Sequence, residues 1–411
     1  MNKPLSYTLS ILGFLLLVPA ANTWGRVELS PRFTLREEYN DNIYLARHNP
    51  ESDFITRAFP ALAFKLDSDY LDVTLDYGLQ FIYYADHPDE NETRIKDVQR
   101  ATGVAEILPG RDFTLTVEDH ISRVTIDERA PVVEESSFVN RTNLNRLVVN
   151  PRYQYRAIHG FTGILGYRFE KLAYQSSEGD DSRSHAGYGD FLKDLSRRLS
   201  LTLYYEYSDN SAKYTEDYTR QDLRGGIIYK ISPRWTFTGQ AGQSWLDYSE
   251  RASQSIDLWS ARLDYQITSA WTAGAHYAQE VLFAVTDGLY ERKTARLFAS
   301  RQTGVLFDIE GNATRDTYQT IDRRDESVGG KLGIGLPLVS NILLRLSGDY
   351  SYWKFDPEAE HVHRFGGGPA LEYARNRLAV ALGYRYREEI SNVDVNEYVV
   401  QIIFIEGTLA F

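Results

Sequence analysis

Eight histidines and many carboxylates are the side chains of this 411-residue sequence that could do acid–base or metal chemistry, because cysteine is absent. That absence removes disulfides, thiolate zinc sites, iron–sulfur clusters, a cysteine nucleophile and a lipid-modified cysteine. A histidine-assisted hydrolase needs a serine or an acid placed against the imidazole. His120 and His276 lie on strand-like stretches, and neither has a G-x-S-x-G element beside it. His361-x-His363 offers two ligands, but no carboxylate or thiol at ligand spacing completes a set. The acidic pairs Glu134-Glu135 and Asp180-Asp181 suit divalent-cation contacts or, more simply, solvated loops. The expectation is no enzyme, no cofactor and no metal.

Other charges recur on alternate positions. Arg32, Arg36, Arg152, Arg156, Arg168, Arg262, Arg345, Arg385 and Arg387 form one set. Glu28, Glu38, Asp72, Asp76, Glu118, Glu170, Glu206, Asp264 and Asp349 form the other. Their neighbours in sequence are apolar. From Leu71 to Tyr83, Leu, Val, Tyr and Phe alternate with Asp, Thr, Gly and Gln. The same alternation runs through Phe113–Glu118, Leu199–Tyr207 and Leu378–Arg387. Successive side chains of a strand point to opposite sides, so each stretch is a strand with one apolar and one wet face. No stretch keeps a helical apolar stripe behind a cap, so no helix is expected in the body of the chain.

The first residues follow a different pattern. Lys3, the apolar run Leu9–Val18 and the small residues after Pro19 make a three-part export signal. Its ten-residue apolar run is too short to cross about 30 Å of hydrocarbon. The sequence divides into a signal peptide, 1–20, and a mature chain, 21–411. No other stretch is long and apolar enough for a transmembrane helix.

Connections in the mature chain alternate in length. Brief turns at Asp67–Asp69, Pro109-Gly110, Ser232–Arg234, Ser269-Ala270 and Ser340-Asn341 are separated by long polar stretches such as Asn40–Ser52, Asp127–Thr142 and Gln175–Arg183. Short turns on one side and long loops on the other are the habit of membrane barrels. Counting runs between breaks predicts an all-β fold, a transmembrane antiparallel up-and-down barrel of about 20 strands (18–22) of roughly 11 to 15 residues. A tilted strand crosses the apolar layer in about 9–11 residues, so the walls should project beyond the membrane. A mean hydropathy of −0.40 then averages a lipid-facing wall against a wet lumen and polar loops.

Aromatic residues bunch at strand ends, as an interface girdle requires. Trp235 and Trp271 follow short turns, as do Phe113 and Phe161. Tyr83, Tyr174, Tyr207, Tyr248, Tyr352 and Tyr386 precede long loops. Phe411 closes a strand-like run from about Val395, the form of C-terminal strand that outer-membrane assembly machinery takes up.

The mature chain resembles Gram-negative outer-membrane barrels of the type 2 β-barrel porin family, associated with exopolysaccharide production. The similarity lies in Pro31–Tyr44 (PRFTLREEYNDNIY), above all Tyr39–Ile43, and in hairpins such as Ser232–Gly239 and Gly383–Tyr386. The resemblance implies a porin-like channel for small solutes or saccharides linked to surface polysaccharide export. The alternative is a plugged structural or docking barrel serving a surface-polymer or protein-sorting machine, with no conduction.

In either case the alternating charges line the lumen. They either guide polar solutes, with Tyr204 or Tyr84 as a stacking surface, or pair across strands and hold the wall. Expected partners are outer-membrane lipid and lipopolysaccharide, the assembly machinery, and polysaccharide or its export proteins. The formal charge of −12 argues against nucleic acid.

Overall fold

The computed structural model describes residues 25–127, 139–157, 160–319, 321–393 and 396–411. The expected signal peptide, Glu134-Glu135 and most of the Asp127–Thr142 loop lie outside these residues. The described chain is almost entirely strand, numbered β1 to β21 in chain order. Every ladder is antiparallel, and each strand of the wall pairs with the strands before and after it, except that β3 and β4 both pair with β2 and β3 pairs with β5. β1 (Arg26–Asn40) also pairs with β21 (Tyr398–Ala410), which closes the sheet into a barrel. β3 (Leu71–Leu79) and β4 (Phe81–Tyr84) are two parts of one wall strand interrupted at Gln80, so 21 segments make a 20-strand wall. Closure pairs the backbone groups that hydrocarbon cannot solvate.

Strands reach 17 residues in β7 (Arg141–Ala157), longer than the membrane requires. Their register fixes the two faces. Leu165, Leu297 and Ile403 are more than half exposed on the outside, as a lipid-facing wall should be. Beyond Tyr352 the outward face becomes charged, with Lys354, Arg315 and Glu326, so the wall continues past the apolar band.

The loop end is closed differently from the turn end. At the turn end Ala410 pairs with Arg32, and the Phe411 amide donates to the Pro31 carbonyl. At the loop end side chains extend the seam beyond Asn40↔Ile402. The Gln401 amide donates to Asp41 Oδ1 at 2.7 Å, and Asn42 Nδ2 donates to the Val399 carbonyl at 2.9 Å. The Tyr39–Ile43 stretch that carries the resemblance therefore stitches first strand to last.

Two expectations need correction. The body is not free of helix: a short helix α1 (Ile95–Val98) and a 3₁₀ turn (Pro88–Glu90) lie in the connection after β4. Both are too short to show helical periodicity. Of the expected girdle, Tyr83, Trp235, Trp271, Tyr352 and Tyr386 occupy the outward register, and Trp235 stacks on Tyr265 at 4.0 Å. Tyr248 and Tyr174 do not. Both fall on the inward parity of their strands and are buried. Position at a strand end says nothing about which face a side chain takes; parity does.

Candidate functional site

The lumen is built by inward parity. Arg32, Arg36 and Glu38 on β1 share this face with Arg57 on β2 (Asp53–Asp67) and Asp72 and Asp76 on β3. Pairing carries the same face round the wall through Arg152, Arg156, Arg168, Glu170, Glu206, Arg262 and Asp264. It continues to Arg345, Asp349, Arg385 and Arg387.

Most of these charges have near partners. Arg32 meets Asp76 at 2.9 Å, Arg152 meets Glu106 at 3.5 Å, and Arg168 meets Glu206 at 2.7 Å. Glu170 pairs with Arg146 at 2.7 Å, Arg345 with Glu372 at 2.8 Å, and Arg387 with Asp349 at 3.9 Å. Arg156 donates to Gln154, and Asp72 accepts the Ser68 amide at the turn. The rows therefore hold the wall as well as wetting it.

At the loop end the lumen narrows. Loop 41–52 turns inward: Ile43 packs with Ile55, Ile82 and Tyr84, and Leu45 with Tyr398, Val400 and Ile402. All six wall residues are on the inner face. Tyr84 is only 3% exposed, so it offers no stacking surface.

A hairpin closes the opposite side. β14 (Trp271–Phe283) and β15 (Leu289–Arg301) put Val281, Phe283 and Leu289 on the outward parity. These side chains nevertheless pack with Leu246, Tyr248, Ile256 and Leu258 from the inner face of β12 (Trp235–Tyr248) and β13 (Gln254–Gln266). The β13–β14 ladder ends at Trp259↔Gln279. Above that point the β14–β15 tip leaves the wall and folds over the lumen, where Arg220 donates to the Val281 carbonyl at 3.1 Å.

Buried ion pairs hold this narrowed end. Arg220 donates twice to Asp222, at 2.8 and 2.7 Å, and Arg224 adds a third bond at 2.8 Å. Arg364 pairs with Glu389 at 2.8 Å. Arg323, under which lies the Tyr318 ring, bonds Asp325 and Asp287. In the connection after β4, His87 bridges Asp53 at 2.7 Å and Glu51 at 2.8 Å. Those hydrogen bonds, to Asp53 first, raise the imidazole above its usual range. Asp180 is buried and accepts the amides of Lys213, Tyr214 and Thr215, so its role is to fold a loop rather than to hold a solvated cation.

Among the described residues the histidines form no centre. His120 and His276 face inward on different parts of the wall, and His120 meets Thr102 at 2.9 Å. His361 and His363 lie at the loop-side start of β19 (Glu360–Arg375), on its outward face, each against a tyrosine, Tyr352 and Tyr350. Among the described residues no three potential ligands converge.

Several residues of the narrowed end escaped the sequence pattern. Arg57 sits in an Ala- and Phe-rich stretch whose inward face looks apolar, and Arg100 lies at the start of β5 (Gln99–Ile107) beside α1. The Arg220-x-Asp222-x-Arg224 spacing was the available signal for that cluster.

Comparison with sequence families and with curated proteins finds no match. Solved structures do match in fold. The siderophore receptor PirA from Pseudomonas aeruginosa superposes with a TM-score of 0.52 at 10% identity, over 94% of this chain and 81% of that one. A mutant of the ferric enterobactin receptor PfeA from the same organism gives 0.54 at 10% identity, with the same coverage. The copper transporter OprC gives 0.53 at 9%, again over 94% and 81%. At such identity the likeness is one of architecture. The chain is a transmembrane β-barrel of the outer-membrane kind.

Proposed function

We propose that this barrel is a porin-like channel of the Gram-negative outer membrane, passing small polar solutes or saccharides and narrowed at its loop end. The observation that carries the reading is the wet turn half of the lumen. There Arg262, Arg296 and Arg345 remain about half exposed although each is ion-paired. A 20-strand wall is too wide for side chains alone to fill, and solvated charges mark water. The fold shared with receptors and a transporter for siderophores and copper supports solute passage as the use of the lumen. The link to surface polysaccharide rests on the resemblance of Pro31–Tyr44 to type 2 porins. Export by the N-terminal signal, and assembly through the C-terminal strand ending at Phe411, belong to the same reading.

Purified protein in planar bilayers should give discrete conductance steps. Silent bilayers containing folded barrel would overturn the channel. They would favour a docking barrel instead, the second reading, which draws its support from the inward-folded β14–β15 tip.

A further inference from the structure

One part of the inner wall gathers arginines from several strands. It spans β21, β1, β2 and β5, with β20 (Leu378–Ser391) alongside. A cavity of about 380 Å³ is lined there by Arg36, Arg57, Arg100 and Arg385, against Glu38 and Glu406. A second, of about 250 Å³, shares Arg36, Arg385 and Glu406 and adds the Arg345–Glu372 pair. Together they hold five arginines and three glutamates.

The acids are unevenly used. Glu38 takes two bonds from Arg57, at 2.9 and 2.7 Å, and one from Arg36 Nε at 2.6 Å. The terminal nitrogens of Arg36 reach Glu406 only at 3.9 Å. Arg100 Nη1 serves the carbonyls of Asp97 and Gln99 and the side chain of Asn143, while its Nη2 is buried without a hydrogen-bond partner. An unsatisfied buried donor is costly, and an oxyanion satisfies it.

Aromatic rings line the same recess. The Phe404 ring covers Gly383 and the Phe59 ring covers Gly78, where a Cβ on either glycine would collide with the ring. The Arg36 guanidinium stacks on Phe404, 4.0 Å from its centroid, so its fork is held in a fixed plane. Fixed planar forks match carboxylates, and ring faces on the wall match the C–H faces of sugars.

We infer that this recess binds an acidic saccharide, the carboxylate seated between Arg36, Arg100 and Arg385 with the sugar ring against Phe59. The site rests on the channel reading, since ligand must reach it through the lumen. Calorimetry on folded barrel in detergent tests it with trigalacturonate, maltotriose and inorganic phosphate as probes. Trigalacturonate should bind, and maltotriose should not. The R100Q/R385Q double variant should weaken trigalacturonate binding about tenfold or more, whereas R262Q, at the exposed pair, should leave it unchanged. Heat-modifiable migration on gels establishes that each variant is folded.

Equal binding of trigalacturonate and maltotriose, no trigalacturonate binding, or undiminished binding by a folded double variant would each overturn the site. Binding of phosphate as tightly as trigalacturonate would also overturn it, by reducing the recess to a general anion site. Conductance is measured separately, so a conducting barrel that ignores trigalacturonate sinks this inference and leaves the channel standing.

Discussion

Arg220-Gln221-Asp222 at the loop end of the lumen and Arg262-Leu263-Asp264 toward the turn end use one local device, an arginine two residues before an aspartate on a single strand. In both pairs the side chains share the inward face and lie within 2.8 Å. Their surroundings differ. Asp222 is 4% exposed, flanked by Arg224 and covered by the folded β14–β15 tip, whereas Asp264 is 40% exposed. The same local charge pair therefore recurs at both ends of the lumen, but its energetics differ. Exposed pairs are screened and contribute little; buried ones leave a costly orphan when one partner is removed.

Asp222→Asn should have the largest effect. It leaves Arg220 and Arg224 short of their acceptor and should cost about 3–5 kcal/mol, while Asp264→Asn should cost under about 1 kcal/mol. Urea titration of folding into vesicles measures both, and similar losses would dissolve the contrast between the ends.

Across the wall, Leu203→Arg on the lipid face should cost about 2–4 kcal/mol near the midplane, and Thr202→Arg on the inner face much less. Equal costs would reverse the assignment of faces.

At the loop end alone, Leu246→Ala removes the inner-wall side of the cluster beneath the hairpin tip. It should lose about 2–3 kcal/mol of local packing and raise single-channel conductance as the tip lifts. An unchanged conductance would separate the tip from the constriction.

The smallest effect is one of pH. His87 has its folded-state pKa raised by Asp53 and Glu51. Its contribution is thus complete below the ordinary value of 6.5 and is lost as pH rises through the higher folded value. Protection factors of the amides in residues 85–98, which are free of the base-catalysed rise in intrinsic exchange, should fall on going from pH 6 to pH 9, and His87→Gln should remove that fall.

Parity made the wall legible in sequence. Leu71–Tyr83 and Leu378–Arg387 show it plainly, and the alternation of short and long connections pointed to the barrel. The narrowed end was not legible, because parity describes only residues that stay in the wall. Val281, Phe283 and Leu289 are apolar on the outward parity and read as lipid-facing; only the loss of the β13–β14 ladder turns them inward. Tyr248 and Tyr174 failed for the opposite reason, having been assigned by their place at strand ends when their parity already put them inside. Arg57 and Arg100 were missed because their significance comes from non-neighbouring strands converging on one recess.

The seam at Asp41 and Asn42 bears on how the molecule is made. Because side chains of the first loop supply the last bonds between β1 and β21, joining the two ends of the sheet also anchors the segment that carries Ile43 and Leu45 into the lumen. Cylinder closure and the shaping of one side of the mouth thereby draw on the same bonds. A chain arrested before closure would lack its constriction as well as its seam, and the Asn42→Ala variant couples the two defects in one molecule.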